Sequence, residues 1–176
     1  AEADIIFVSV NTPTKTFGQG AGQAADLQYW EKTARQIKQH SHTDKIVVEK
    51  STLPVRTAEA MERILHSGTR TVHFEVLSNP EFLAEGTAIQ DFMRPDRVVI
   101  GTESEHARSV LGALYRPLYL LETPMVFTSL ETAELIKYAA NAFLATKITI
   151  INEMADLCEA VGADVQDIAR GIGLDG

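Results

Sequence analysis

The chain has 176 residues, with 16 Lys and Arg against 24 Asp and Glu, for a formal charge of −8. That length suits one domain, or a domain with an appendage, and can bury a sizeable core; the acidic balance offers no general attraction for nucleic acid or anionic lipid. No apolar stretch reaches the roughly 20 residues of a membrane span, Ala1-Glu2-Ala3-Asp4 is no signal peptide, and the single cysteine, Cys158, excludes an internal disulfide and a Cys-based zinc site. A cytoplasmic location is expected, with neither nucleic acid nor membrane as a partner.

Ile5–Val10 is a near-continuous apolar run of strand length, as expected for a strand covered on both faces. The loop Gly18-Gln19-Gly20-Ala21-Gly22 follows. Its glycines do not close directly onto a helix, so they are not a dinucleotide fingerprint. Asp26 is placed to cap a helix with Leu27, Trp30, Ala34 and Ile37 at helical spacing. Lys45–Glu49 reads as the second strand. Pro54 fits the first turn of a second helix bearing Val55, Ala58, Met61 and Leu65, and Val72–Leu77 reads as the third strand. The order β-α-β-α-β predicts right-handed crossovers and a parallel sheet. Arg97–Gly101 then reads as a strand, Glu105–Arg116 as a helix stopped near Pro117, and Pro124–Phe127 as one more strand.

Thr128 and Glu131 have capping-box spacing. No Gly or Pro interrupts Leu130–Val161, and a helix over that range would be ~48 Å long at ~1.5 Å per residue. Ile136, Ala140, Phe143, Ile150, Met154, Leu157 and Val161 form a near-heptad stripe broken by Lys147. Such a helix is expected to bridge two domains or to pack on another subunit. Asp164 and Val165 start a further short helix.

Each of the first three strands ends in a polar tail: Asn11-Thr12-Pro13-Thr14, Ser51-Thr52 and Ser78-Asn79-Pro80-Glu81. In a parallel sheet all three emerge along one edge, outside the carboxyl ends of the strands, where open α/β sheets bind ligands. Glu81 is expected to open a short helix, where a carboxylate favours the N-terminal dipole. Lys137 and Asn141, spaced i, i+4, share a helix face among apolar neighbours. The five histidines have no metal-ligand spacing, so no metal is expected.

The stretches Val10–Leu27, Glu49–Val55 (EKSTLPV), Leu77–Ala88 (LSNPEFLAEGTA), Pro95–Gly101 (PDRVVIG) and Glu134–Ala145 (ELIKYAANAFLA) resemble the UDP-glucose/GDP-mannose dehydrogenase family. The first is most similar to its UDP-glucose 6-dehydrogenase branch. The resemblance implies an α/β fold: the C-terminal half of a Rossmann-like doubly wound parallel sheet, followed by a long central α-helix. It implies residues 1–129 as part of the NAD-binding domain, without its first βαβ unit, and 130–176 as the start of the central helical dimerisation domain. Homo-oligomers would form through that helix. The implied activity is NAD-dependent oxidation of UDP-glucose to UDP-glucuronate in two hydride transfers. The alternatives are GDP-mannose or a UDP-N-acetylhexosamine as substrate, or a non-catalytic dimerisation module. The family's GxGxxG turn would precede Ala1 and its nucleophilic cysteine would follow Gly176, so the chain alone is expected to be inactive.

By the same resemblance Glu81 is an acid/base residue, and burial beside Phe82 and Leu83 would tune it towards neutral pH. Lys137 and Asn141 hold the oxygen at C6, where an ammonium and an amide stabilise developing negative charge. Thr52 bonds to water or substrate, or caps a helix; one hydroxyl can do both. Phe82, Leu83 and Ala84 line the sugar, with Glu81, Glu85, Lys137 and Asn141 completing the substrate site. Val10, Asn11, Thr12, Pro13, Thr14, Ser51, Thr52 and Leu53 contact the NAD ribose and nicotinamide. Glu85, taken as one helical turn beyond Glu81, points to the nicotinamide or forms a structural salt bridge. Cys158, in an apolar helix, is a packing residue.

Overall fold

The structure, a computed structural model, describes residues 2–68, 71–117 and 123–174. In chain order the elements are β1 (Ile5–Val8), α1 (Gln28–His40), β2 (Lys45–Glu49), α2 (Thr57–Leu65), β3 (Phe74–Ser78), α3 (Ala88–Met93), β4 (Val98–Gly101), α4 (Glu105–Leu114), β5 (Met125–Thr128), α5 (Leu130–Val161) and α6 (Val165–Gly173). The chain divides into two compact units, 1–137 and 138–176, with the division inside α5.

The first unit holds a five-stranded sheet in the order β1-β2-β3-β4-β5. β1, β2 and β3 are parallel, with Ile5 opposite Ile46 and Lys45 opposite Phe74. The helical crossovers bring this about, because a strand, a helix and a return strand leave all three strands pointing the same way. Alternation sorts the side chains to two faces. On one face Val8, Val47, Phe74 and Val76 pack against Trp30, Ala34 and Ile37 of α1 and Ala58, Met61 and Leu65 of α2. On the other, Ile46, Val48 and Leu77 pack with Val98 and Ile100 of β4 and with Ala107, Leu111 and Tyr115 on and just beyond α4.

The parallel order that the β-α-β-α-β pattern predicts holds for β1, β2 and β3, and the sheet changes direction at the fourth strand. β4 runs antiparallel to β3 and meets it at one register pair, Ser78 with Gly101, while β5 runs parallel to β4. The cause lies in the connection. α3 is six residues long and buries none of them, so it does not lay a crossover over the sheet. Asn79 strengthens the junction, its Nδ2 donating to the Val99 carbonyl at 2.7 Å.

Local starts and stops differ from the simplest reading of the sequence. Pro54 stays outside α2; the chain turns first, through Arg56 at a φ of 74°, and helix begins at Thr57. The long helix is capped by Ser129, whose Oγ accepts the Thr132 N–H at 3.3 Å. Thr128 cannot do this, because it belongs to β5 and its carbonyl accepts the Thr102 N–H. The bounds Leu130–Val161 are those the sequence predicts. Gly101 allows the start of α5 to approach the sheet closely. A Cβ there would stand 2.5 Å from the Ala133 Cβ and 2.6 Å from the Ser129 carbonyl oxygen. That approach carries Glu134 and Lys137 into the unit's interior.

The second unit contains the rest of α5 and α6. The long helix ends at Gly162, whose φ of 77° turns the chain while its N–H and that of Ala163 return to the Cys158 carbonyl. Asp164 caps α6 through the Gln166 N–H at 2.7 Å. Cys158 is free and buried, in keeping with a packing role, whereas Phe143, Leu144, Ile148, Leu157 and Val161 are exposed. Among the described residues no helix is long and apolar enough to cross a membrane.

Candidate functional site

The tails of β1 and β2 are stitched together. The Val10 N–H donates to the Ser51 Oγ at 2.9 Å, and the Thr12 hydroxyl donates to the Thr52 carbonyl at 3.2 Å. On the far side, the Asp26 N–H donates to the Pro13 carbonyl at 2.6 Å, and Thr14 pairs with Ala25. Val10 to Thr14 and Ser51 to Leu53 are therefore one ordered surface at the carboxyl edge of the sheet. Leu53 is buried in the core and anchors it, while Asn11 and Thr14 are exposed. Gly18, Gly20 and Gly22 all have positive φ in a turn-rich loop that does not lead directly into a helix.

Glu81 extends the third tail into the same region. Asn79 follows β3 and precedes proline, with its N–H donating to the Glu49 carbonyl at 2.8 Å, and Glu81 lies beyond the strand end. Its Oε1 accepts the Thr52 hydroxyl at 3.2 Å and lies 4.0 Å from the Lys137 Nζ. Its Oε2 is buried and has no hydrogen-bond partner among the described residues. The side chain as a whole is 26% exposed, that of Lys137 only 9%. Burial holds the Lys137 ammonium below the ordinary lysine range; the Glu81 carboxylate opposes this, and the Arg97 guanidinium adds to it. Both cations lie over the Phe82 ring, the Arg97 Cζ 3.9 Å and the Lys137 Nζ 5.2 Å from its centroid.

Some expected neighbours are arranged differently. Glu81 opens no helix: residues 81–84 are non-helical, and a turn at 85–87 leads into α3. The Asp91 carboxylate stops the segment by accepting the Ala84 N–H and the Thr87 hydroxyl, both at 2.9 Å, and Gly86 turns at a φ of 88°. Glu85 therefore lies on an exposed turn, not one helical turn above Glu81. Leu83 and Ala84 are exposed beside it. Thr52 directs its hydroxyl to Glu81 and is not a helix cap. Asn141 is exposed on α5, four residues past Lys137, in the second unit.

Sequence reasoning missed a second amine. Lys50, at the end of β2, donates from Nζ to the Asn79 Oδ1 at 3.3 Å. Burial lowers its ammonium to about 8, with Glu81 opposing and Lys137 reinforcing the shift. The signal was present in the stretch Glu49-Lys50-Ser51-Thr52, where a lysine stands between a strand and a candidate contact residue. Also missed was a buried acid, Glu49, 2% exposed. Its Oε2 accepts the Trp30 Nε1–H at 3.0 Å, while its Oε1 is unpartnered among the described residues. Burial raises it to about 8; the Trp30 bond opposes this, and the Glu134 charge adds to it.

The carboxyl edge thus joins a carboxylate, a hydroxyl and two desolvated amines. Such a set can take up or release a proton and can stabilise negative charge growing on an oxygen. Residues 1–119 match the model described as the NAD binding domain of the UDP-glucose/GDP-mannose dehydrogenase family, and residues 131–176 match that family's central domain. UDP-glucose 6-dehydrogenase 5 of Oryza sativa subsp. japonica is 55% identical over 99% of this chain. UDP-glucose 6-dehydrogenase 1 of Arabidopsis thaliana is likewise 55% identical over 99%. The chain spans 37% of the length of either relative. A solved UDP-glucose dehydrogenase from the archaeon Pyrobaculum islandicum is 39% identical with a TM-score of 0.88, over 98% of this chain and 39% of that one. Matched along both the sheet and the long helix, the chain belongs to the UDP-glucose/GDP-mannose dehydrogenase family.

Proposed function

We propose that this chain serves an NAD-dependent UDP-glucose 6-dehydrogenase, contributing one wall of the cofactor site and the acid/base groups that act at C6 of the sugar. The observation that carries this reading is the meeting of Glu81 with Thr52 at 3.2 Å and with Lys137 at 4.0 Å. These residues are far apart in sequence, and sheet and helix bring them to one edge. The buried, unpartnered Oε2 of Glu81 supports it, since such an atom is costly unless a ligand or water completes it.

In this reading the part-buried hydroxyl and peptide groups of Val10, Thr12, Ser51 and Thr52 suit the ribose and carboxamide of NAD. Asn11, Pro13, Thr14, Leu53 and Glu85 are assigned to the cofactor site with them. Bound NAD supplies a hydride acceptor. Oxidising an alcohol also requires its O–H proton to leave. Glu81, oriented by Thr52, is the proton-handling group, and Lys137 with Asn141 holds the C6 oxygen. The backbone of Phe82, Leu83 and Ala84 runs beside the sugar. The boundary between the cofactor part and the central helical part falls at 129/130, and the exposed apolar residues of α5 are the means of homo-oligomer formation. The protein works in the cytoplasm.

The test is NADH formation by a polypeptide that carries this chain at the length of its relatives. UDP-glucose is expected to support turnover at least tenfold better than GDP-mannose or a UDP-N-acetylhexosamine, about the discrimination that 1.4 kcal/mol supplies. NADH formation equally fast with GDP-mannose would overturn the choice of substrate, and none with any of the three would overturn the function.

A further inference from the structure

The third tail leaves the sheet where its support is uneven. β3 pairs with β2 along its whole length but meets β4 only where Ser78 faces Gly101. Asn79, the next residue, supplies what the backbone ladder lacks. Its N–H donates to the Glu49 carbonyl of β2 at 2.8 Å. Its Nδ2 donates to the Val99 carbonyl of β4 at 2.7 Å, so one residue ties the tail to the strands on both sides.

The remaining polar atom of the side chain, Oδ1, accepts the Tyr115 hydroxyl at 2.6 Å and the Lys50 amine at 3.3 Å. Tyr115 stands at the end of α4 and packs with Ile46, Val48 and Leu77 of the sheet. Burial pushes its phenol up to about 12, which keeps it protonated and a donor. Asn79 is 1% exposed and Tyr115 8%, so losing the phenol leaves a buried amide oxygen short of a donor.

From Asn79 to Glu81 the chain passes only through Pro80, which is buried and whose ring fixes φ. The setting of the amide is therefore handed on to Glu81 with little slack. Glu81 depends on that accuracy. Its Oε1 is 3.2 Å from the Thr52 hydroxyl and 4.0 Å from the Lys137 Nζ, and a displacement of about 1 Å away from them would lose both partners.

We propose that Asn79, braced by the Tyr115 hydroxyl, is a positioning residue of this site, fixing the third tail so that Glu81 meets Thr52 and Lys137. The catalytic consequence rests on the proposed function, whereas the placement of Glu81 can be measured without substrate. Neither Asn79 nor Tyr115 is assigned contact with the cofactor or the sugar.

The experiment uses the complete enzyme. Tyr115→Phe keeps the ring and removes only the hydroxyl; it is expected to lower kcat by about fivefold while KM for UDP-glucose stays within about twofold. Asn79→Leu, close in size, should lower kcat by about twentyfold. Added to Asn79→Leu, Tyr115→Phe should cost nothing further, because its partner is already gone. A ligand-free crystal structure of Tyr115→Phe should show the Glu81 carboxylate about 0.5 Å or more farther from the Thr52 hydroxyl. A residue that serves stability alone would lower the thermal midpoint and leave kcat and Glu81 where they were, and either an unchanged kcat or an unmoved Glu81 overturns the inference. So does a Tyr115→Phe loss that is equally large in the Asn79→Leu background. Should Asn79→Leu not fold, kcat and the Glu81 position in Tyr115→Phe decide. A wild-type enzyme with no UDP-glucose activity would defeat the proposed function instead, and the position of Glu81 in Tyr115→Phe would then decide the role of Asn79.

Discussion

Glu134 and Glu81 lie in the same unit, and their surroundings differ in kind. Glu134 is buried beneath the start of α2, where Oε1 accepts the Ala58 N–H at 2.8 Å and Oε2 accepts the Arg56 N–H at 2.6 Å. Those amides have no intrahelical partner at a helix N-terminus, so the carboxylate satisfies them and the helix dipole favours its charge. Burial still raises its pKa. Glu81, by contrast, gives one oxygen to a hydroxyl and leaves the other without a protein partner, opposite an amine that burial has made easier to deprotonate. Glu134 is thus saturated by backbone donors, whereas Glu81 is held by side chains and left incomplete.

Lys137→Ala in the complete enzyme gives the largest expected effect. It should lower kcat by roughly a hundredfold or more, the scale of one lost oxyanion-stabilising group, with KM for UDP-glucose changed much less. Steady-state NADH formation measures both, and an unchanged kcat would place Lys137 with the structural group.

A smaller effect comes from Glu49 in the interior. Its folded pKa, about 8, lies above the ordinary 4.5, so the folded state binds more protons than the unfolded one over that interval. The stability this contributes is fully present below pH 4.5 and is lost as pH rises through about 8. Glu49→Gln keeps an acceptor for Trp30 and removes the titration. Wild type and variant should therefore have similar thermal midpoints near pH 5. By pH 8 the variant should be the more stable, by on the order of 1–3 kcal/mol. Parallel midpoints from pH 5 to 9 would show that Glu49 does not titrate in that window, removing the contrast between a buried acid carried neutral and a working one.

Much of the scaffold was legible because burial and periodicity leave a trace in sequence. β2 is buried at all five positions and reads as a continuous apolar run with charged ends, and α5 has no breaker between its bounds. The direction of β4 was hidden, since it depends on whether α3 covers the sheet, and a hexamer as apolar as AIQDFM does not reveal that it stays exposed. The tails of the site were legible as polar residues following strands, but Glu81 and Lys137 came from motif resemblance, because spacing alone makes each an ordinary helix residue. The conformation at Glu81 was misread because the stop is set by the Asp91 side chain, ten residues on, closing on Ala84 and Thr87. Lys50 was overlooked because its burial is tertiary: Asn79, Val99 and Tyr115 come from three other places in the chain.

The central claim is that Glu81 and Lys137 flank one reacting carbon. A crystal structure of the complete enzyme with UDP-glucose bound measures this directly. The account predicts the C6 oxygen within hydrogen-bonding distance, about 3 Å, of the Lys137 Nζ, with the Glu81 carboxylate on the same side of the sugar. A hexose bound with C6 directed away from both groups would contradict it.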